Sequence, residues 1–348
     1  MITSAPAEAP LLTELVPGRV AVFRALRLGD MLCAIPAFRA LRAALPRAVI
    51  TLIGLPWAKE LVRRYPAYFD SFLSFPGYPG FAEQPFSPPD LIAFLDSARE
   101  KCFDLVIQMQ GDGSLANELI DELGAAVTAG FYPKWEPCPD DRAFLAYPED
   151  ELEPRRHLML MEFLGASAQG EQLEFPIYPG DTKEAMGLLE EEGIAGNPYV
   201  CLHVGGISGG RWPADRFARV AAGLVRLGLR VVLSGVAEER HLAGSVLNGA
   251  VAAVNLCGRT SLGGFGALVS GARLLVCNDT GVSHLAAALA VPSVVITRSD
   301  GDRWAPMDRK RHTVLLDQDK SDLSPDCVLD EATRLLERYA TNCILAVR

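Results

Sequence analysis

Long apolar runs are what this sequence of 348 residues lacks most clearly. No stretch reaches the roughly 18 uncharged apolar residues needed to cross a bilayer, so no membrane span is expected. The opening residues, MITSAPAEAPLLTELVPG, show no basic segment followed by an apolar core, so no secretory leader is expected. The expected location is the cytoplasm, with at most peripheral contact to a membrane. An excess of positive charge is missing as well: Lys and Arg number 33 against 43 Asp and Glu, a formal net charge of -10. That disfavours a broad phosphate-binding surface, so nucleic acid is not an expected partner, while a local basic pocket stays compatible. No HExxH, GxSxG or P-loop pattern occurs, and no His, Asp or Glu cluster has metal-ligand spacing. Neither a metal site nor a tightly bound cofactor is therefore expected. The eight cysteines are Cys33, Cys102, Cys138, Cys201, Cys257, Cys277, Cys327 and Cys343, scattered singly with no CxxC among them. Several lie in apolar runs, where a thiol packs as a small hydrophobe; reduced, buried thiols are expected rather than a disulfide or metal framework.

What is present is an ordinary globular mixture, 49% hydrophobic and 22% charged. The length exceeds one comfortable core, so two domains are expected. RVAVFRAL reads as a buried strand, RLGD breaks it, MLCAIPAFRALRAALP has helical spacing, and AVITLIGL is a second strand. A strand-helix-strand unit of this kind implies parallel pairing. FDLVIQMQGDGS and AVTAGFY add strands on either side of a helical LANELIDELG. Pro133 to Pro154 reads as a proline-rich, acidic loop, and Phe75 to Pro89 as a long aromatic loop that either covers an acceptor or is plain surface. The second half repeats the alternation: strands in YVCLHVGG, RVVLSGV, AVNLCG, RLLVCNDTG and PSVVITRS, helices between them. SPDCVLDEATRLLERYATNCI closes the chain as a helix, with Ser324 as N-cap and Pro325 at its first position.

In open parallel sheets, ligands bind in the crevice at the carboxyl ends of the strands. Every strong polar interruption falls at that topological position: RLGDML, GGISGGRWP, GVAEER and NDTG. Glycines free of Cβ can turn backbone N–H groups toward an anion, and Arg211 can add a charge-assisted contact. A glycine-rich loop alone is equally consistent with a solvated connection. A helix starting near Val282 presents unpaired N–H groups and a positive dipole end, a natural seat for phosphate. Asp279 or Thr280 can cap it, and Gly281 lets a ligand approach; the plainer reading is an ordinary cap. A carboxylate repels phosphate, so Asp279 suits backbone N–H groups or a sugar hydroxyl better. His284, one turn in, either donates to phosphate or packs in the core. Asp30 either takes a proton from an acceptor hydroxyl or caps the following helix. Gln110 and Asp112, after an N-terminal strand, are candidate acceptor contacts or a solvated loop. His203 reads as core, whereas His241 and His312 read as solvated.

RALRLGDMLCAIPAFRALRAALP, HVGGISGGRWPADRFARVAAGL, VVLSGVAEER and CNDTGVSHLAAALAVPSVVI, in that order, resemble the glycosyltransferase family 9 enzymes, over about Arg19 to Pro306. That resemblance implies an α/β GT-B architecture of two facing Rossmann-like, doubly wound domains with an interdomain cleft. It places an acceptor domain at 1–178, a nucleotide-sugar domain at 179–322, and at 323–348 a helix crossing back to the first domain. It implies an inverting enzyme that moves a sugar, heptose in the best-known members, from a nucleoside-diphosphate sugar to a glycan or lipid-linked glycan such as a lipopolysaccharide core. An ADP-sugar is the donor the resemblance favours. By motif match Asp30 takes the general-base position. Gly205, Gly206, Gly209, Gly210, Arg211, Asp279, Thr280, Gly281 and His284 fall on donor-binding loops, and Glu239 on a ribose contact. Gly210 stands where the family loop carries a lysine, Val204 where it carries a proline, and ITRSDGDRWAP replaces an FGPTDP-type segment. Two rival readings share these loops: a nucleotide-sugar epimerase of the same fold, and a non-catalytic nucleotide-sugar-binding protein.

Overall fold

Runs such as Val20, Ala21, Val22 and Phe23 have no polar face, and a strand of that kind is stable only with both faces covered. In the computed structural model, which describes residues 9–206, 210–247, 253–298, 302–318 and 323–339, these four residues are fully buried. The chain divides into two units, at Gln172 and Leu173, a few residues before the expected 178/179 boundary.

The first unit carries β1 (Arg19–Phe23), β2 (Val49–Gly54), β3 (Ser71–Ser74), β4 (Leu105–Gln108), β5 (Val127–Tyr132) and β6 (Phe144–Ala146). They form one sheet in the order β3-β2-β1-β4-β5-β6, every pair parallel. Phe23, Phe75, Phe81 and Phe94 meet edge to face, with ring centroids 5.1–6.0 Å apart, and root the aromatic loop that follows β3. The loop ends sooner than expected, because Pro88 opens a helix over Pro88–Glu100. The expected loop at 133–154 likewise contains β6 and the start of the helix Glu153–Leu164.

The second unit carries β7 (Tyr199–His203), β8 (Arg230–Ser234), β9 (Ala253–Asn255), β10 (Leu275–Asn278), β11 (Ser293–Thr297) and β12 (His312–Leu316). Their order is β12-β11-β10-β7-β8-β9, again wholly parallel. Numbered within each unit, both sheets read 3-2-1-4-5-6, the doubly wound order of a Rossmann fold. Ser324 caps the last described helix, Pro325–Arg338, accepting from the Cys327 N–H at 3.2 Å. The described part of this helix belongs to the second unit. Val328, Ala332 and Leu335 point into the second unit's own core, with Val220, Leu224 and Val294, and that burial fixes the helix there.

His312 corrects the solvated reading. It is 2% exposed, and its Nδ1 lies 2.8 Å from Ser293 Oγ on the paired strand. Of the cysteines, Cys33, Cys201, Cys257 and Cys277 are buried as expected, while Cys102 and Cys327 are exposed; Cys343 lies outside the described residues.

Candidate functional site

In each sheet the chain leaves strand 1 toward one edge and strand 4 toward the other, so the loops after these two strands open a crevice at the switch point. In the second unit the pair is β7 and β10. After His203 the chain passes through Val204, Gly205 and Gly206; Gly209 lies outside the described residues. Gly206 has φ 134°, a conformation that favours glycine, and a Cβ there would stand 3.0 Å from Thr280 Cγ2. The glycine loop is thus set against the cap of the helix Gly281–Ala288.

Asn278, the last residue of β10, ties both ends of that loop. Its Oδ1 accepts from the Trp212 N–H at 2.9 Å, and its Nδ2 donates to the carbonyls of Val204 at 3.2 Å and Gly205 at 2.8 Å. Thr280 is the cap: its Oγ1 accepts from the Val282 N–H at 3.4 Å, and its carbonyl accepts from Ser283 Oγ at 2.7 Å. Asp279 therefore does not cap. Its carboxylate accepts from Thr297 Oγ1 at 3.3 Å and keeps its other lone pairs. The side chain retains solvent access, yet surrounding protein pushes its carboxyl up from the usual range, the Thr297 hydrogen bond opposing.

Glu239, just after β8, reaches across to the same place. Its Oε1 accepts from the Gly206 N–H at 3.1 Å and its Oε2 from the Val236 N–H at 3.0 Å. A Cβ on Gly205 would lie 1.9 Å from that Oε1. Gly210 is exposed, and Arg211 is half-buried with no hydrogen-bond or ion-pair partner among the described residues. His284 is 4% exposed, and its ring stands 6.1 Å from that of Trp304, on which the Arg303 guanidinium lies at 4.8 Å. His284 is thus packed against Trp304. His203, also packed, faces Phe265 at 6.3 Å; burial lowers its pKa, and Glu239 and Ser234 oppose the shift.

In the first unit the corresponding pair is β1 and β4. Asp30 is the third residue of the helix Leu28–Cys33, and its Oδ2 accepts from the Arg27 N–H at 3.2 Å. It is thus bonded to the start of its own helix, as the plainer reading has it, and a partly exposed carboxylate remains available. Burial pushes its carboxyl up, Arg24 pulls it down, and Glu153 pushes it up again. Gln110 is buried and accepts at Oε1 from the Ala25 N–H at 2.9 Å, while its own N–H donates to Gln108 Oε1 at 2.8 Å. Asp112 closes a local turn onto the Ser114 N–H at 3.0 Å. Gln110 therefore joins the loop that leads to Asp30, and Asp112 does not. In both units an amide side chain at the end of strand 4, Gln110 or Asn278, tethers the loop after strand 1.

Sequence reasoning missed Asn278 as an anchor and Arg24 as a support. The signal for Arg24 was a guanidinium at the end of an apolar strand, RVAVFR. Among the described residues no group of three or more His, Cys, Asp or Glu is placed to hold a metal ion, and no described helix is long and apolar enough to cross a membrane.

The description glycosyltransferase family 9 (heptosyltransferase) matches residues 92–332. Lipopolysaccharide heptosyltransferase 1 of Escherichia coli O18:K1:H7 is 25% identical over 295 residues, covering 80% of this chain and 85% of that protein. A glycosyl transferase family 9 structure from Veillonella parvula superposes with a TM-score of 0.79 at 21% identity, covering 92% of this chain and 97% of that one. The E. coli ADP-heptose lps heptosyltransferase II structure gives a TM-score of 0.75 at 21% identity, over 93% and 100% of the two chains. At such identities the structural likeness shows the fold, which is GT-B, and the match along two-thirds of the sequence shows the family. This chain belongs to glycosyltransferase family 9 and is a glycosyltransferase.

Proposed function

We propose that the chain transfers heptose, with inversion, from ADP-heptose to a hydroxyl of a lipopolysaccharide core-type glycan. The observation that carries this reading is the juxtaposition at the β7–β10 switch point. There a glycine loop, a helix start and an arginine with no described partner meet in one unit, the chemistry a diphosphate requires. The related E. coli structure is described as an ADP-heptose heptosyltransferase, which supports the choice of donor.

The residues then divide the work. The Gly281 N–H at the helix start, the loop at Gly205, Gly206 and Gly210, and the Arg211 guanidinium take the diphosphate. Arg211 does so in place of the family's lysine, its fork able to bridge two phosphate oxygens. Asp279 and Glu239 repel phosphate and accept instead from donor hydroxyls, with Thr280 holding the turn and His284 backing it. On the first unit Asp30 accepts the proton of the attacking hydroxyl, and Gln110 holds the Asp30 loop. The acceptor oxygen forms a bond to the anomeric carbon as that carbon's bond to the diphosphate oxygen breaks. The proton goes to Asp30, and the charge on departing ADP is met by the helix start and Arg211. The test is ADP release from ADP-heptose with and without a heptose-deficient core acceptor. Release that requires acceptor, with the sugar found on it, supports transfer. Isomerised donor in the absence of acceptor, or binding without turnover, overturns it.

A further inference from the structure

No step assigned to the site uses the charged cluster behind Asp30. Arg24 and Arg156 are 0% exposed, His157 is 1% and Glu153 2%. Burying so many ionisable groups is a poor route to stability, since apolar side chains of similar volume often do as well. Their hydrogen bonds show what they hold. Arg24 donates from Nε at 3.0 Å and from Nη2 at 2.8 Å to the main-chain carbonyl of Asp30. Its Nη1 donates to the Met109 carbonyl beyond β4, and Nη2 also meets Glu153 Oε1 at 3.3 Å. One planar guanidinium therefore joins the ends of β1 and β4 to the first turn of the helix that carries Asp30. Glu153 is itself fixed, by Arg156 Nη1 at 2.6 Å and His157 Nε2 at 2.9 Å.

We infer that Arg24 is a positioning residue that holds Asp30 for proton removal, and that Glu153 fixes Arg24 and moderates its charge at that carboxylate. The inference rests on Asp30 being the general base. The charged groups facing Asp30 are Arg24 from the end of β1 and Glu153 from the helix Glu153–Leu164; Arg156 and His157 stand behind Glu153. On the next helix, Arg39 and Arg42 bind Tyr68, Asp70 and nearby carbonyls instead. These two charges act in opposite directions. Arg24 favours the carboxylate over the acid, and Glu153 disfavours it.

The experiment is steady-state transfer by the full chain, with ADP-heptose and a heptose-deficient core acceptor, for Arg24→Met, Arg24→Lys and Glu153→Gln. Melting curves establish that each variant is folded. Arg24→Met should lower kcat by about 10–100-fold, the order expected of a misplaced catalytic group, with donor KM within about twofold. The acid limb of its kcat/KM profile should move to higher pH, because a positive charge beside the base is lost. Glu153→Gln should move that limb to lower pH, and Arg24→Lys should fall between Arg24→Met and the parent. A packing role alone predicts no opposed displacement. Limbs that stay put, or move in the same direction, overturn the inference, as does a donor KM that rises in step with the loss of kcat. Should Arg24→Met fail to fold, Glu153→Gln and Arg24→Lys decide by the same limbs. Asp30→Ala separates the two levels: full turnover there removes Asp30 as base. An inactive Asp30→Ala beside unmoved limbs in the other variants removes only the inference about Arg24.

Discussion

Truncating Asn278 to alanine tests whether the glycine loop works by being held in place. The side chain makes three hydrogen bonds, all to main chain: one accepted from Trp212 and two donated, to Val204 and Gly205. Asn278 is 2% exposed, so the truncation strands buried partners. An unsatisfied buried group costs about 1–3 kcal/mol, and water entering the vacated space recovers part of that. A net loss of about 2–4 kcal/mol in unfolding free energy is expected, enough to see in urea melts. The functional effect should be selective. The loop lies against Thr280, so releasing it should weaken ADP binding at least tenfold, about 1.4 kcal/mol, while adenosine, which lacks phosphate, changes little. Asn278→Asp should be worse for ADP, because it turns a donor into an acceptor facing two carbonyls and adds negative charge near the phosphates. Titration calorimetry with ADP and adenosine on all three proteins is the assay. Equal losses for the two ligands, or unchanged ADP affinity in a destabilised protein, would refute the reasoning.

Further outcomes follow from the same geometry. Asp30→Ala should lower transfer by about 10²–10⁴, with ADP affinity nearly unchanged, as read by initial rates and calorimetry. Gly206→Ala forces a methyl into a φ of 134° and to 3.0 Å from Thr280 Cγ2, so ADP affinity should fall together with stability. Gly228→Ala, at φ 80° with no atom near its Cβ, should cost stability alone. Burial lowers the His157 and His312 imidazoles from 6.5 to about 4. The unfolded chain protonates them first on acidification, so their contribution is complete above about pH 6.5 and is lost as pH falls toward 4, about 3 kcal/mol for each. His157→Gln should therefore flatten the acid side of the stability profile measured by urea melts; an unchanged slope would mean that His157 is not buried neutral.

The central strands were legible because strands covered on both faces are written as unbroken apolar runs, as RVAVF and RLLVC show. The edge strands β3 and β6 were not, because each is short and partly exposed, and neither was β12, whose residues after His312 are only partly buried. The terminal helix shows its apolar stripe in sequence, but a stripe does not say which core it covers. At the site, glycines and polar breaks marked the loops after β1, β7, β8 and β10, because such breaks are costly inside a strand and tolerated at its end. The pairings stayed hidden. Arg24 and Glu153 are 129 positions apart, and Asn278 reaches 66 positions back to Trp212, contacts that only the fold creates. His312 stands among arginine, lysine and threonine in sequence, yet its pairing with Ser293 buries it.

A crystal structure of the protein with ADP bears most directly on the central claim, that the β7–β10 switch point holds the departing diphosphate. The account predicts a phosphate oxygen within hydrogen-bond distance of the Gly281 N–H group, with the Arg211 guanidinium on the same diphosphate. Phosphates bound away from both loops, with Arg211 turned to solvent, would contradict it.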